Sequence, residues 1–126
     1  MLAVDTNVLV RLITRDDDKQ VAAAEQFVAK GAWVSHLVLA ETSWVLSAGY
    51  DLKPEAIATA IEMLLNHRVF AVQDPDVVEA ALQHFRRKPA LGFSDCMVLE
   101  IARKAGHTPL GTFDRNLSTL SGAKRL

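Results

Sequence analysis

Four acids, Asp5, Glu41, Asp95 and Asp114, occupy positions where a carboxylate has work to do or needs a partner. Four carboxylates converging on one crevice would repel strongly, raising their pKa values or loosening the fold, unless a multivalent cation sat among them. Oxygen-only ligands suit Mg²⁺ or Mn²⁺ rather than zinc. Cations held this way deprotonate a water, aim it at phosphorus and neutralise charge on the non-bridging and leaving oxygens. The expected chemistry is phosphodiester hydrolysis.

Read singly, each acid has an ordinary structural explanation. Asp5 interrupts the apolar run Leu2 to Val10 at a strand-to-helix junction, where it or Thr6 would cap the following helix. Glu41 has Leu37 and Val45 four residues to either side, with Ala40 and Trp44 beside it. That pattern places it on a face expected to be buried, where it needs either a metal or an arginine such as Arg11 or Arg15. Asp95 lies in a first helical turn, which favours acids through the helix dipole. Asp114 follows a strand, as turn aspartates do. Their joint placement is what these separate explanations leave out, because the carboxyl ends of strands in an open α/β sheet form the crevice where ligands bind.

Short strands must alternate with helices to position the four. Leu2 to Val4 reads as a buried strand, and Val8, Leu9, Leu12 and Ile13 recur at helical spacing. Asp17 followed by Gln20 fits a capping box, so the run Asp16-Asp17-Asp18 opens a helix through Val21, Ala24, Phe27 and Val28 that stops at Gly31. Ala32 to Val34 is a second strand, and Ser35 caps a helix running to Gly49. Pro54 starts a helix carrying Ile57, Ile61, Met63, Leu64 and Leu65. Val69 to Val72 is a third strand, and Asp74-Pro75 opens a helix whose inner face is Val77, Val78, Ala81, Leu82 and Phe85. After a loop from Pro89 to Phe93, Ser94 is the expected N-cap of a helix with Met97, Val98, Ile101 and Ala102 inward, ending at Gly106. Pro109 to Phe113 is a fourth strand, Asn116 to Leu120 a helical turn, and Ala123 to Leu126 an edge strand. The alternation predicts a parallel sheet with helices on both faces.

Composition narrows the class. The 126 residues, 50% hydrophobic and 23% charged, are expected to form one domain spanning 1-126. A formal net charge of -1 removes the large basic excess that would announce a nucleic-acid binder, so any basic surface must be local. The single Cys96 excludes an internal disulfide and a Cys-based zinc site, and His36, His67, His84 and His107 lack zinc spacing. No apolar run approaches the roughly 20 residues needed to span a bilayer, and the start does not resemble a signal peptide, so a cytoplasmic protein is expected.

Four short motifs carry a resemblance that covers nearly the whole chain. Val4-Asp5-Thr6-Asn7, Ala40-Glu41, Phe93-Ser94-Asp95 and Gly111-Thr112-Phe113-Asp114 resemble, in order and separation, the motifs of PIN-domain ribonucleases, and within them the VapC-type toxins of bacterial toxin-antitoxin pairs. The resemblance implies an α/β fold, a three-layer α/β/α sandwich with a central mostly parallel sheet of four to five strands. It implies that Asp5, Glu41, Asp95 and Asp114 ligate Mg²⁺ or Mn²⁺, with Asn7, Ser94 and Thr112 hydrogen-bonding the carboxylates or a metal-bound water. It also implies a homodimer, cleavage of structured RNA, often tRNA, and neutralisation by a small cognate antitoxin; with no apolar run long enough to span a bilayer, no membrane partner is expected. For the RNA phosphates the chain offers Arg86, Arg87 and Lys88 before the Asp95 loop, and Arg11, Arg15 and Arg115 near the other motifs. The alternative for Arg86 to Lys88 is a solvated helix end, and Trp33 and Trp44 are expected as core or dimer contacts rather than base-stacking platforms.

Three other classes compete. A two-component receiver domain would show an acidic pair after its first strand, an aspartate after its third and a lysine after its fifth, whereas here Thr6 and Asn7 follow Asp5 and Arg115 follows Asp114. A haloacid-dehalogenase-type phosphatase needs a second acid where Asn7 stands. A catalytically silent interaction module of the same fold would not need all four acids.

Overall fold

The computed structural model describes all 126 residues. Strand β1 (Leu2–Ala3) leads into helices α1 (Thr6–Thr14) and α2 (Asp18–Val28). Strand β2 (Ala32–Val34) is followed by α3 (His36–Ala48) and α4 (Pro54–Asn66), and β3 (Phe70–Val72) by α5 (Pro75–Arg87). After a 3-10 turn at Pro89–Leu91 come α6 (Phe93–Ala105), β4 (Leu110–Thr112), a second 3-10 turn at Leu117–Thr119 and β5 (Ala123–Arg125).

Local signals place these boundaries. Asp17 accepts from the Gln20 amide at 3.0 Å and Ser35 from the Val38 amide at 3.1 Å, each satisfying an amide that the first helical turn leaves without a partner. Pro54 and Pro75 occupy the first positions of α4 and α5, where a missing N–H costs nothing. The chain turns out of α2 at Gly31, with φ of 108°, a conformation that favours glycine.

All five strands pair in parallel, as their alternation with helices predicts, but in two sheets rather than one. β1, β2 and β3 lie side by side with Ala3 opposite Trp33 and Trp33 opposite Ala71, while β4 pairs only with β5. β1 ends after two residues because Asp5 already turns the chain into α1. Its outer edge stays unpaired, and Leu2 and Ala3, expected to be buried, are exposed. The core draws on every helix, from Leu9 and Val28 through Leu39, Leu64 and Val78 to Leu99.

Two helices turn a different face inward than their apolar residues suggest. In α3 the buried side is Leu39, Thr42, Ser43 and Leu46, leaving Leu37 72% and Trp44 67% exposed, with Glu41 on the open side. Thr42 and Ser43 can face the core because their hydroxyls donate back to the carbonyls of Val38 and Ala40, both at 2.7 Å. Glu41 is therefore not the buried acid that its neighbours predicted, and neither Trp44 nor Trp33, which is 40% exposed, is a core residue. In α6, Phe93, Cys96, Met97, Leu99 and Glu100 point inward while Val98 and Ile101 face out. Nor does Ser94 cap this helix. Gly92, at φ 76°, precedes it, and Phe93 begins it by packing edge-on against Phe85 at 6.1 Å between ring centroids.

Candidate metal centre

The four acids arrive on four different elements. Asp5 closes β1 in an extended conformation and caps α1, one carboxylate oxygen accepting from the Val8 amide at 3.1 Å. The next residue, Thr6, is buried and donates from Oγ1 to Glu41 Oε1 at 2.6 Å, so the start of α1 is joined to the exposed side of α3. Asn7 is exposed and makes no side-chain hydrogen bond within the chain.

The second pair lies between α6 and the loop after β4. Asp114 Oδ1 accepts from the Leu117 amide at 3.0 Å, and the Asp114 amide donates to Thr112 Oγ1 at 3.0 Å. Thr112 thus shapes the turn that presents the acid. Asp95, in the first turn of α6, is half-buried, and its carboxyl is pushed above the ordinary range, first by burial and then by the charge of Asp114. Ser94 beside it has no side-chain partner in the chain.

No cation pairs with any of the four. Arg11 bonds Asp16, Gln20 and Tyr50, and Arg15 bonds Glu25, so the arginines that might have compensated Glu41 are engaged elsewhere. The remaining ion pairs join His36 and Lys104 to Asp74, Lys104 to Asp76, Arg86 to Glu62, and His84 and Arg103 to Glu100. Hard oxygen donors without a cationic partner, one of them resisting ionisation beside another acid, fit a divalent cation in charge and chemistry. The structure sets Asp95 beside Asp114 and links Glu41, through Thr6, to the start of the helix that Asp5 caps. No three of His, Cys, Asp or Glu anywhere in the chain stand close enough to hold one ion.

The basic candidates divide similarly. Arg11, Arg15 and Arg86 spend their guanidinium groups on acids, Arg86 by a fork to both oxygens of Glu62 at 3.3 and 2.9 Å, and Lys88 donates to Thr119 Oγ1 at 2.9 Å. Arg87 and Arg115 are exposed and have no side-chain partner. Sequence patterns offered Thr6 only as a helix cap, a role that Asp5 fills, and did not single out Glu100. A threonine between two polar motif residues at a strand end was the available signal for the first, and an acid one and a half turns after Asp95 for the second.

The model of the PIN domain family matches residues 2–123. Among solved structures the chain is similar to VapC20 of Mycobacterium tuberculosis, a sarcin-ricin loop cleaving toxin, at 22% identity over 98% of each chain with a TM-score of 0.45. A search of curated proteins finds no match.

Proposed function

Because the chain belongs to the PIN-domain family, we propose that it is a Mg²⁺- or Mn²⁺-dependent ribonuclease of the VapC type, the toxin of a toxin-antitoxin pair. The observation that carries this reading is the placement of Asp95, half-buried in the first turn of α6, beside Asp114 with no cationic partner for either acid. Asp95 and Asp114 would hold the ion, with Asp5 and Glu41 completing the set once its charge draws the four acids closer, and when bound it supplies an ionised water and neutralises charge at phosphorus. Thr6 orients Glu41, Thr112 shapes the Asp114 turn, and Asn7 and Ser94 have hydrogen-bonding capacity to spare for the carboxylates or for substrate. Arg87 and Arg115 are free to meet the phosphates flanking the scissile bond.

The rest of the reading follows the family. The whole chain acts as one PIN unit in the cytoplasm, as a homodimer, on structured RNA such as tRNA, and a small antitoxin restrains it. No helix is long and apolar enough to cross a membrane. An apolar groove of about 530 Å³ between α1, α2 and α4, lined by Leu12, Ile13, Val28, Leu64 and Phe70, has the chemistry to take an apolar segment of such a partner.

Incubation of the purified chain with structured RNA in Mn²⁺, in EDTA, and with Asp95→Asn in place of the wild type tests this. Cleavage is expected only for the wild type with metal, and an Asp95→Asn variant that cuts at the wild-type rate would overturn the assignment. One observation favours a second reading, a PIN-fold interaction module without catalysis: no three of the acids gather. Wild-type protein that never cleaves while still binding RNA would select it.

A further inference from the structure

The stretch from Leu110 to Leu126 carries Asp114, yet its backbone bonds only to itself. β4 pairs with β5, Leu110 N donates to Gly122 O and Leu126 N to Thr112 O, and no backbone hydrogen bond leaves the stretch. Leu117 is buried in the core and Leu110, Leu120 and Ala123 pack against it, but holding a site to within about half an ångström takes hydrogen bonds as well as packing. Two side chains supply what the backbone lacks. Lys88, at the end of α5, donates to Thr119 Oγ1 at 2.9 Å, and Arg103, on α6, donates from Nη2 to the Ser121 carbonyl.

Arg103 is itself held. Its Nε donates to both oxygens of Glu100, each at 3.2 Å, and the buried Glu100 is also bonded to His84 Nε2 at 3.0 Å. The guanidinium lies against Gly122, where an added Cβ would come within 2.9 Å of Nη2 and where φ is +94°. A residue with a side chain there would be strained and would displace the arginine. Since α6 also bears Asp95, the same helix that presents one acid grips the segment that presents the other.

We propose that Arg103, oriented by Glu100, and Lys88 are positioning residues that set the separation of Asp114 from Asp95. The proposal rests on the metal-site reading above. It is tested on the full chain by measuring the Mn²⁺ dissociation constant, from the EPR signal of free Mn²⁺, together with kcat and KM for RNA cleavage. Arg103→Met is expected to raise the Mn²⁺ dissociation constant about tenfold and to lower kcat with little change in KM. Thr119→Val, which removes the acceptor of Lys88 from an exposed position, is expected to shift both in the same direction by less. A folded Arg103→Met with wild-type Mn²⁺ affinity overturns the proposal, and should that variant not fold, unchanged affinity in Thr119→Val overturns it instead. Asp95→Asn, run in parallel, separates the two failures. If it binds Mn²⁺ like the wild type, the metal site itself is wrong; if it loses binding while Arg103→Met keeps it, only the positioning role falls.

Discussion

Thr6 Oγ1 donates a 2.6 Å hydrogen bond to Glu41 Oε1, tying the first residue of α1 to the exposed side of α3 across 35 positions of chain. The donor is buried and the acceptor exposed, so the bond does more to aim the carboxylate than to support the fold. Thr6→Val keeps the shape and removes the donor. A loss of about 0.5–1.5 kcal/mol in denaturant unfolding is expected, with Mn²⁺ affinity falling about tenfold, while Thr6→Ser should retain both. Wild-type Mn²⁺ affinity in Thr6→Val would mean that Glu41 needs no aiming.

Asp5 has two separable jobs. Its carboxylate caps α1, and asparagine caps about as well as aspartate whereas alanine does not. Asp5→Asn should therefore keep the melting temperature of the wild type, and Asp5→Ala should lose about 1 kcal/mol. Both are expected to lose RNA cleavage. An Asp5→Asn variant that still cleaves would leave only the capping role.

Asp95 links pH to stability with a definite sign. Its folded carboxyl is held above the ordinary range by burial and by Asp114, so the unfolded chain releases this proton first. At pH below the ordinary carboxylate range both states are protonated and the group contributes nothing. As pH climbs from that range through the raised native value, the metal-free folded state loses stability, and above it the loss is complete. Metal-free Asp95→Asn should accordingly melt at or above the wild-type temperature at neutral pH, with the difference closing as pH falls toward about 4. Mn²⁺ should raise the wild-type melting temperature with concentration and leave that of Asp95→Asn nearly unmoved. A wild-type melt indifferent to millimolar Mn²⁺ would count against the site.

Cys96 is fully buried next to Asp95, and its thiol is pushed up to about 12 by burial, with the charges of Asp95 and Glu100 adding to the effect. Such a thiol stays protonated near neutral pH, and it is the thiolate that reacts. Alkylation of the native chain by iodoacetamide should therefore be slow and should track unfolding, accelerating in denaturant. Rapid labelling of the folded protein would show that α6 opens locally.

The order and type of the elements were legible in the sequence because their causes lie within a few residues of one another. The Asp17 and Ser35 caps, Pro54 and Pro75 at helix starts, and the one-sided stripe Val77, Val78, Ala81, Leu82 and Phe85 each act over a turn or two of chain. The motif acids could be named for the same reason, since each sits at a strand end, in a first helical turn or beside an apolar neighbour that makes it stand out. α3 could not be oriented this way: apolar on both sides, it gave periodicity no preference, and self-satisfied Thr42 and Ser43 went inward while Leu37 and Trp44 stayed out.

Tertiary structure alone decided how distant groups are matched. It gave Arg11 and Arg15 to Asp16 and Glu25 instead of Glu41, buried Glu100 between His84 and Arg103, and joined β4 to β5 rather than to β1. It also linked Glu41 through Thr6 to the start of α1 and set Asp95 beside Asp114, without gathering three acids at one point. Such matches depend on which side chains meet once all the helices have competed for the same apolar surface. Residue spacing along the chain fixes the faces an element can offer, and only packing against the others selects among them.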